Sequence, residues 1–301
     1  TLTDPANTGA VCLALPQDVE GEAYDYPVSF FKKRIWRLER RPATEAALAE
    51  AAEAVRAARK PMLICGGGVR YSEAHTEFRH FAETLGIPFA ETQAGKSAIE
   101  WTHPLNLGGV GVTGCSAAND IAKEADLVIG VGTRYTDFTT SSKWLWSGAC
   151  KFVNINVSEF QSLKMEAIPV VADAKDALPR LEKLLAGYKP AYAGEIEAAR
   201  KKWAEELDRL DSFAFADTAD WKPIINDANA DSAKRFAKDL NAGLTQTSVL
   251  GAINAMMADT DVAIGAAGSL PGDMQRMWRP RAQDTYNMEY GYSTMGYEVA
   301  G

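Results

Sequence analysis

Between Thr44 and about residue 186, short apolar runs alternate with stretches of helical periodicity, and this alternation leaves the chain few folds to choose from. The runs are Met62-Leu63-Ile64-Cys65, Ile87-Pro88-Phe89-Ala90, Leu127 to Gly132, Phe152 to Val157 and Val170 to Asp173. They are apolar on nearly every residue, so neither face of such a strand is meant for water. Strands of that kind belong to parallel sheets covered on both sides. Between them Leu48, Ala51, Ala52 and Val55 recur at helical spacing, with Thr44 as the N-cap and Glu45 in the first turn. Further helices are predicted around 72–85, 116–124 and 175–186. Repeated strand–helix units give an α/β class with a central Rossmann-like, doubly wound parallel sheet over residues 44–190.

The flanks read differently. Val11-Cys12-Leu13-Ala14-Leu15-Pro16 has the length and composition of a buried strand, yet nothing before it supplies a neighbour. Residues 1–43 are therefore expected to be the end of one domain plus a linker. The basic stretch Lys32-Lys33-Arg34-Ile35-Trp36-Arg37 within it is read as a solvated or interdomain face. Residues 191–242 form a second linker, helical from Glu195 to Asp211 and poorly patterned near 214–234. A new βα pattern opens the last part, 243–301, with a helix from Ser248 to Met257, a strand from Val262 to Ala267 and another helix near Gly296 to Gly301. The central sheet is thus expected to be flanked by partial pieces of two further α/β domains.

Charge and composition exclude several classes of function. A net charge of −8 repels nucleic acid and anionic membranes. No apolar run approaches the roughly 20 residues that a bilayer helix needs, and the opening residues lack the pattern of a signal peptide. The four cysteines, Cys12, Cys65, Cys115 and Cys150, contain no CxxC pair and read as reduced thiols of a cytoplasmic protein. His75, His80 and His103 have no metal-ligand spacing to them, which disfavours zinc and a Ser-His-Asp hydrolase alike.

Three small-residue loops remain as candidate sites. Gly66-Gly67-Gly68 follows a strand where a dinucleotide would lie, but without GxGxxG spacing a tight turn explains it better. Gly130-Val131-Gly132-Thr133-Arg134 admits the same two readings. The third, Gly268-Ser269-Leu270-Pro271-Gly272-Asp273, can offer amides and a hydroxyl to phosphate oxygens. It is followed by Met274-Gln275-Arg276-Met277-Trp278 and then by Glu289-Tyr290-Gly291-Tyr292-Ser293-Thr294-Met295-Gly296.

This last combination resembles the start of the diphosphate-binding domain of thiamine-diphosphate-dependent enzymes. Leu13-Ala14-Leu15-Pro16-Gln17-Asp18-Val19 resembles the end of their pyrimidine-binding domain, and the sheet between resembles their central domain, which in some members holds FAD. Three stretches are similar to the branch that opens a trihydroxycyclohexane-dione in myo-inositol degradation. They are Ala14 to Val19 with Tyr24-Asp25-Tyr26-Pro27, Ala267 to Asp273, and Met288 to Ser293 with Met295 to Glu298. The chain departs from that pattern at Asn287 and Thr294, where the family carries His and Cys.

The resemblance implies a hydrolase that breaks a C–C bond of a cyclic dione to give 5-deoxy-glucuronate, with thiamine diphosphate and Mg2+ as cofactors and a homodimer or homotetramer as the assembly. It places Ala267, Gly268, Ser269 and Leu270 against the diphosphate, the backbone of Ser293 and Met295 against the aminopyrimidine, and the Met295 side chain beneath the cofactor. The family's glutamate and its Gly-Asp-Gly metal segment have no counterpart in this sequence, so no catalytic or metal residue is expected among these 301. The chain is then a truncated fragment, inactive alone. The alternatives are an acetolactate-synthase-like carboligase, a dinucleotide-binding module built on Gly66 to Gly68, and a domain that only joins subunits.

Overall fold

A computed structural model describes residues 1–214, 231–232, 235, 238–239, 243–292 and 294–301. The polar run near 214–234 falls almost wholly outside the described residues. Helix α1 (Glu45–Ala57) starts where Thr44 Oγ1 accepts the Ala47 amide at 3.3 Å, and it buries Leu48, Ala51, Ala52 and Val55. Then follow β1 (Pro61–Cys65), α2 (Gly67–Tyr71), α3 (His75–Leu85), β2 (Phe89–Glu91), β3 (Asn106–Gly109), α4 (Ser116–Glu124), β4 (Leu127–Val131), α5 (Asp137–Thr140), β5 (Lys151–Asn156), α6 (Glu159–Ser162), β6 (Ile168–Val171) and α7 (Ala174–Leu184).

The strands form one parallel sheet in the order β3-β2-β1-β4-β5-β6. That is the doubly wound arrangement expected from the alternation. The register places Leu63 opposite Phe89 on one side and Ile129 on the other. Because side chains alternate between faces, Leu63, Cys65, Phe89, Ile129, Val131, Val153 and Ile155 join α1, α3 and α7 in one core. Met62, Ile64, Ala90, Val128 and Phe152 join α4 in a second core on the opposite face. Each fully buried Leu, Ile or Phe contributes roughly 1.5–3 kcal/mol, so covering both faces explains why these strands are apolar on most residues.

Helix α8 (Glu195–Ser212) lies in the segment read as a linker and packs on α4, setting Ile196, Ala199 and Trp203 against the second core. The chain continues as α9 (Gln246–Met256), β7 (Ala263–Gly265), α10 (Leu270–Met277), β8 (Tyr286–Met288) and α11 (Tyr297–Ala300). A reciprocal box starts α9, in which Thr245 Oγ1 accepts the Ser248 amide at 3.2 Å and Ser248 Oγ accepts the Thr245 amide at 3.1 Å. Strands β7 and β8 pair in parallel, with a small core of Leu250, Ala263, Met274, Trp278, Tyr286 and Met288.

Several expectations need correction. Val11 to Pro16 is not a strand: no described strand pairs with it, its backbone gains no ladder bonds, and Val11, Leu13 and Leu15 are exposed. Strand β3 was not apparent because Asn106-Leu107-Gly108-Gly109 has a single large apolar residue, and β8 is only three residues long. The run from 262 to 267 is a strand over Ala263–Gly265 alone. The loop from Gly268 to Asp273 is shorter than its small residues suggest, since α10 begins at Leu270. Pro271 sits in the first turn, where its missing N–H breaks no helical bond.

Candidate functional site

The strand order reverses between β1 and β4, and ligands of doubly wound sheets bind beyond the strand ends at such a point. Here that crevice is filled by the protein's own backbone. The Gly66 amide donates to the Val131 carbonyl at 2.9 Å and the Gly68 amide to the Gly132 carbonyl at 3.0 Å. A Cβ on Gly66 would lie 2.3 Å from the Gly132 oxygen, and one on Gly68 would lie 2.5 Å from the Gly132 Cα. The two glycine runs exist for each other. Two amides that could have faced a diphosphate are already bonded, so the turn reading prevails over a dinucleotide site.

The Gly268 loop is the opposite case. Ala267 is half-buried, whereas Gly268, Ser269 and Leu270 are exposed beyond the carboxyl end of β7. Gly268 has φ +99 with open space where a Cβ would be, a conformation glycine adopts freely. Among the described residues nothing accepts from the amides of Gly268, Ser269 and Leu270. Those donors, at the positive end of the eight-residue α10, suit an anion.

The second predicted motif belongs to the same small unit. Glu289 donates its amide to the Gly265 carbonyl at 3.4 Å, and the Tyr290 ring rests on Phe138 with centroids 4.5 Å apart. Helix α11 packs beside β7, and Met295 immediately precedes Gly296, its N-cap. Met295 is 86% exposed. Ser293 lies outside the described residues. Of the departures from the family pattern, Asn287 is half-buried in β8 and Thr294 is exposed.

Residues that the sequence reading overlooked fix this unit to the central sheet. Gln275, fully enclosed, donates through Nε2 to the carbonyls of Val110 (3.2 Å) and Glu91 (3.4 Å) and accepts from the Thr113 hydroxyl. A Cβ on Gly109 would strike Gln275 at 2.8 Å, so β3 ends in glycine where the helix approaches. Gln93 donates to the Pro271 carbonyl at 2.8 Å and accepts from the Tyr286 hydroxyl at 2.8 Å. Only the Met-Gln-x-Met-Trp run hinted at any of this.

Beneath them Glu91 and Lys96 form a buried ion pair at 3.7 Å. Burial raises the Glu91 carboxyl above its ordinary range, against the pull of Lys96. Burial, reinforced by Glu91, also holds the Tyr286 phenol far above its usual value, so it stays a hydrogen-bond donor. The Cys115 thiol is pushed up to about 11 by burial, and that of Cys65 is likewise raised. Neither is an activated nucleophile. Among the described residues no group of three or more His, Cys, Asp or Glu side chains is arranged to hold a metal, and no helix is long and apolar enough to cross a membrane.

Residues 48–181 match the family model for the central domain of thiamine pyrophosphate enzymes. The chain is 55% identical over its whole length to 3D-(3,5/4)-trihydroxycyclohexane-1,2-dione hydrolase 1 of Bacillus cereus, of which it covers 47%. It is 54% identical, with the same coverage, to the hydrolase of that name from Bacillus thuringiensis (strain Al Hakam). The chain therefore spans about half the length of the curated relatives it matches. A solved structure from Mycobacterium smegmatis, described as a thiamin diphosphate-dependent enzyme, superposes with a TM-score of 0.59 at 19% identity, covering 88% of this chain and 45% of that one.

Proposed function

We propose that this chain, whose residues 48–181 are the central domain of a thiamine pyrophosphate enzyme, is the middle part of a hydrolase that opens 3D-(3,5/4)-trihydroxycyclohexane-1,2-dione to 5-deoxy-glucuronate in myo-inositol degradation. The observation that carries this reading is the set of unclaimed amides at Gly268, Ser269 and Leu270, in a chain 55% identical to a hydrolase of that name.

In this reading the three amides and the N-terminal end of α10 hold the diphosphate, with Ala267 walling the loop from behind. The backbone of Ser293 and Met295 contacts the aminopyrimidine. The Met295 thioether, polarizable and now uncovered, fills the space beneath the cofactor. Thiamine diphosphate supplies the electron sink that lets a C–C bond beside a ketone break, while the protein supplies orientation. In this reading neither a metal ligand nor a catalytic acid is assigned to residues of this chain. Residues 1–43 and 243–301 then belong to the two cofactor-binding domains, with 44–190 as the central domain and 191–242 as a linker. The parent enzyme is a cytoplasmic homodimer or homotetramer. The net charge of −8 and the free cysteines agree with a small-molecule substrate and a reducing compartment.

The full-length enzyme, supplied with thiamine diphosphate and Mg2+, should open the dione. Absence of turnover at saturating cofactor, or condensation of keto acids in its place, overturns the reading. Gly268→Ala in that enzyme should weaken cofactor binding at least tenfold, because φ +99 strains any L side chain. The chain of residues 1–301 alone should show no micromolar binding of thiamine diphosphate by calorimetry.

A further inference from the structure

Among the described residues, strand β8 pairs with β7 alone, on one edge. There the Ala263 amide donates to the Thr285 carbonyl at 2.9 Å. On its other edge, where a sheet would place another strand, stands a side-chain hydroxyl. Ser97 Oγ accepts the Tyr286 amide at 3.1 Å and lies 3.4 Å from the Tyr286 carbonyl, to which it donates. A hydroxyl can do both at once, and so Ser97 takes the place of a strand partner. Arg70 completes the edge, donating to the same Tyr286 carbonyl at 3.0 Å and to the Asp284 carboxylate at 2.7 Å.

The backbone at this contact is strained on both sides. Ser97 has φ +71 and is fully buried, and Asp284 has φ +58. The two are bonded directly, Asp284 N–H to the Ser97 carbonyl at 3.0 Å. Non-glycine residues enter the left-handed region at a cost, smaller for Asp than for Ser, and persist there where the surroundings enforce it. Two facing each other across one contact mark a geometry that the fold maintains against its local preference.

We propose that Ser97, supported by Arg70 and Asp284, is a positioning residue of the cofactor site: it sets how far β8 advances along β7, and thereby the spacing between the Gly268 loop and the Glu289–Met295 segment. The link is short. Gly265, opposite Met288 in the register, is three residues from Gly268, and Glu289 follows β8 directly. Residues outside both motifs thus fix the two motifs relative to each other. This rests on the function proposed above.

The test uses the full-length enzyme, wild type beside Ser97→Ala and Ser97→Gly. Both variants lack the hydroxyl, but glycine also relieves the positive φ, so it keeps the fold if alanine does not. The first readout is amide hydrogen exchange without cofactor. Protection at Tyr286 should fall by tenfold or more in both variants while that of β1 and β4 is kept; unchanged protection overturns the proposal. The second is binding of thiamine diphosphate by calorimetry together with turnover at saturating cofactor. The dissociation constant should rise about tenfold, with turnover falling far less. Lost protection with an unchanged dissociation constant makes Ser97 merely structural and overturns the proposal, leaving the function intact. A wild-type enzyme that binds no thiamine diphosphate brings down the functional reading, and this one with it.

Discussion

In the central sheet β2, β1, β4 and β5 each have a strand on both edges, whereas β7 and β8 have only each other. The contrast extends to everything around them. The central helices cover both faces of their sheet, and even the crevice at the reversal of strand order is closed by Gly66 and Gly68 on Gly132. The β7–β8 unit leaves Val262, Leu270, Met295 and Val299 exposed, takes its missing bonds from Ser97, Arg70 and Gln93, and reaches back to the central sheet through its own Gln275. One βα grammar has produced a self-sufficient scaffold and an open unit that leans on it. The unpaired amides belong to the open unit, as a ligand site requires.

The largest expected effect tests that dependence. Tyr286→Ala removes a fully buried aromatic shared by β8 and the central loops, a change that costs about 3–5 kcal/mol. Hydrogen exchange should show β7, β8 and α10 losing protection while β1 and β4 keep theirs. Equal loss in both regions would erase the distinction. Next, Gly66→Ala forces a methyl group against the Gly132 carbonyl and should cost about 1–3 kcal/mol, since overpacking displaces backbone. Its thermal midpoint should fall without a matching loss at β7–β8. Added dinucleotide should not rescue it, because the Gly66 and Gly68 amides that would face a diphosphate are bonded to the Val131 and Gly132 carbonyls.

The helix caps allow a finer comparison. Thr44→Ala and Thr245→Ala each delete an N-cap bond worth about 1 kcal/mol. The first should lower protection across the central sheet and the second only around α9. The smallest effect is a pH dependence. The Glu182 carboxylate, 2.8 Å from the ring of exposed His80, raises the pKa of that imidazole. The folded state then binds the proton more tightly. The resulting stability is fully present below the unfolded value of about 6.5 and is lost as pH rises through the higher folded value. The difference in melting temperature between wild type and His80→Ala should therefore be larger at about pH 5.5 than at about pH 9.

Local pattern revealed the central fold because burial on both faces leaves a continuous apolar run, as at Met62 to Cys65 and Leu127 to Val131, and because capping residues such as Thr44 act within one turn. It failed where an element depends on partners distant in the chain. Val11 to Pro16 has the composition of a strand but no pairing strand among the described residues, while Tyr286 to Met288 lacks strand length but gains a neighbour on one edge and a serine on the other. The candidate loop from Ala267 to Leu270 was visible as small residues after a strand. That its amides stay free, whereas those of Gly66 and Gly68 are taken, was not.

The sequence by itself determined the parallel sheet, the faces its strands bury, the helix starts and the resemblance of its loops to a thiamine-diphosphate family, since periodicity and residue type act over a few positions. Only the tertiary structure decided which glycine turn is closed and which is open, and that Ser97, Gln93 and Gln275 hold the candidate site to the sheet. Those outcomes depend on which atoms meet across long stretches of chain, as between Gly66 and Gly132 or, 189 positions apart, Ser97 and Tyr286. No local pattern records such meetings.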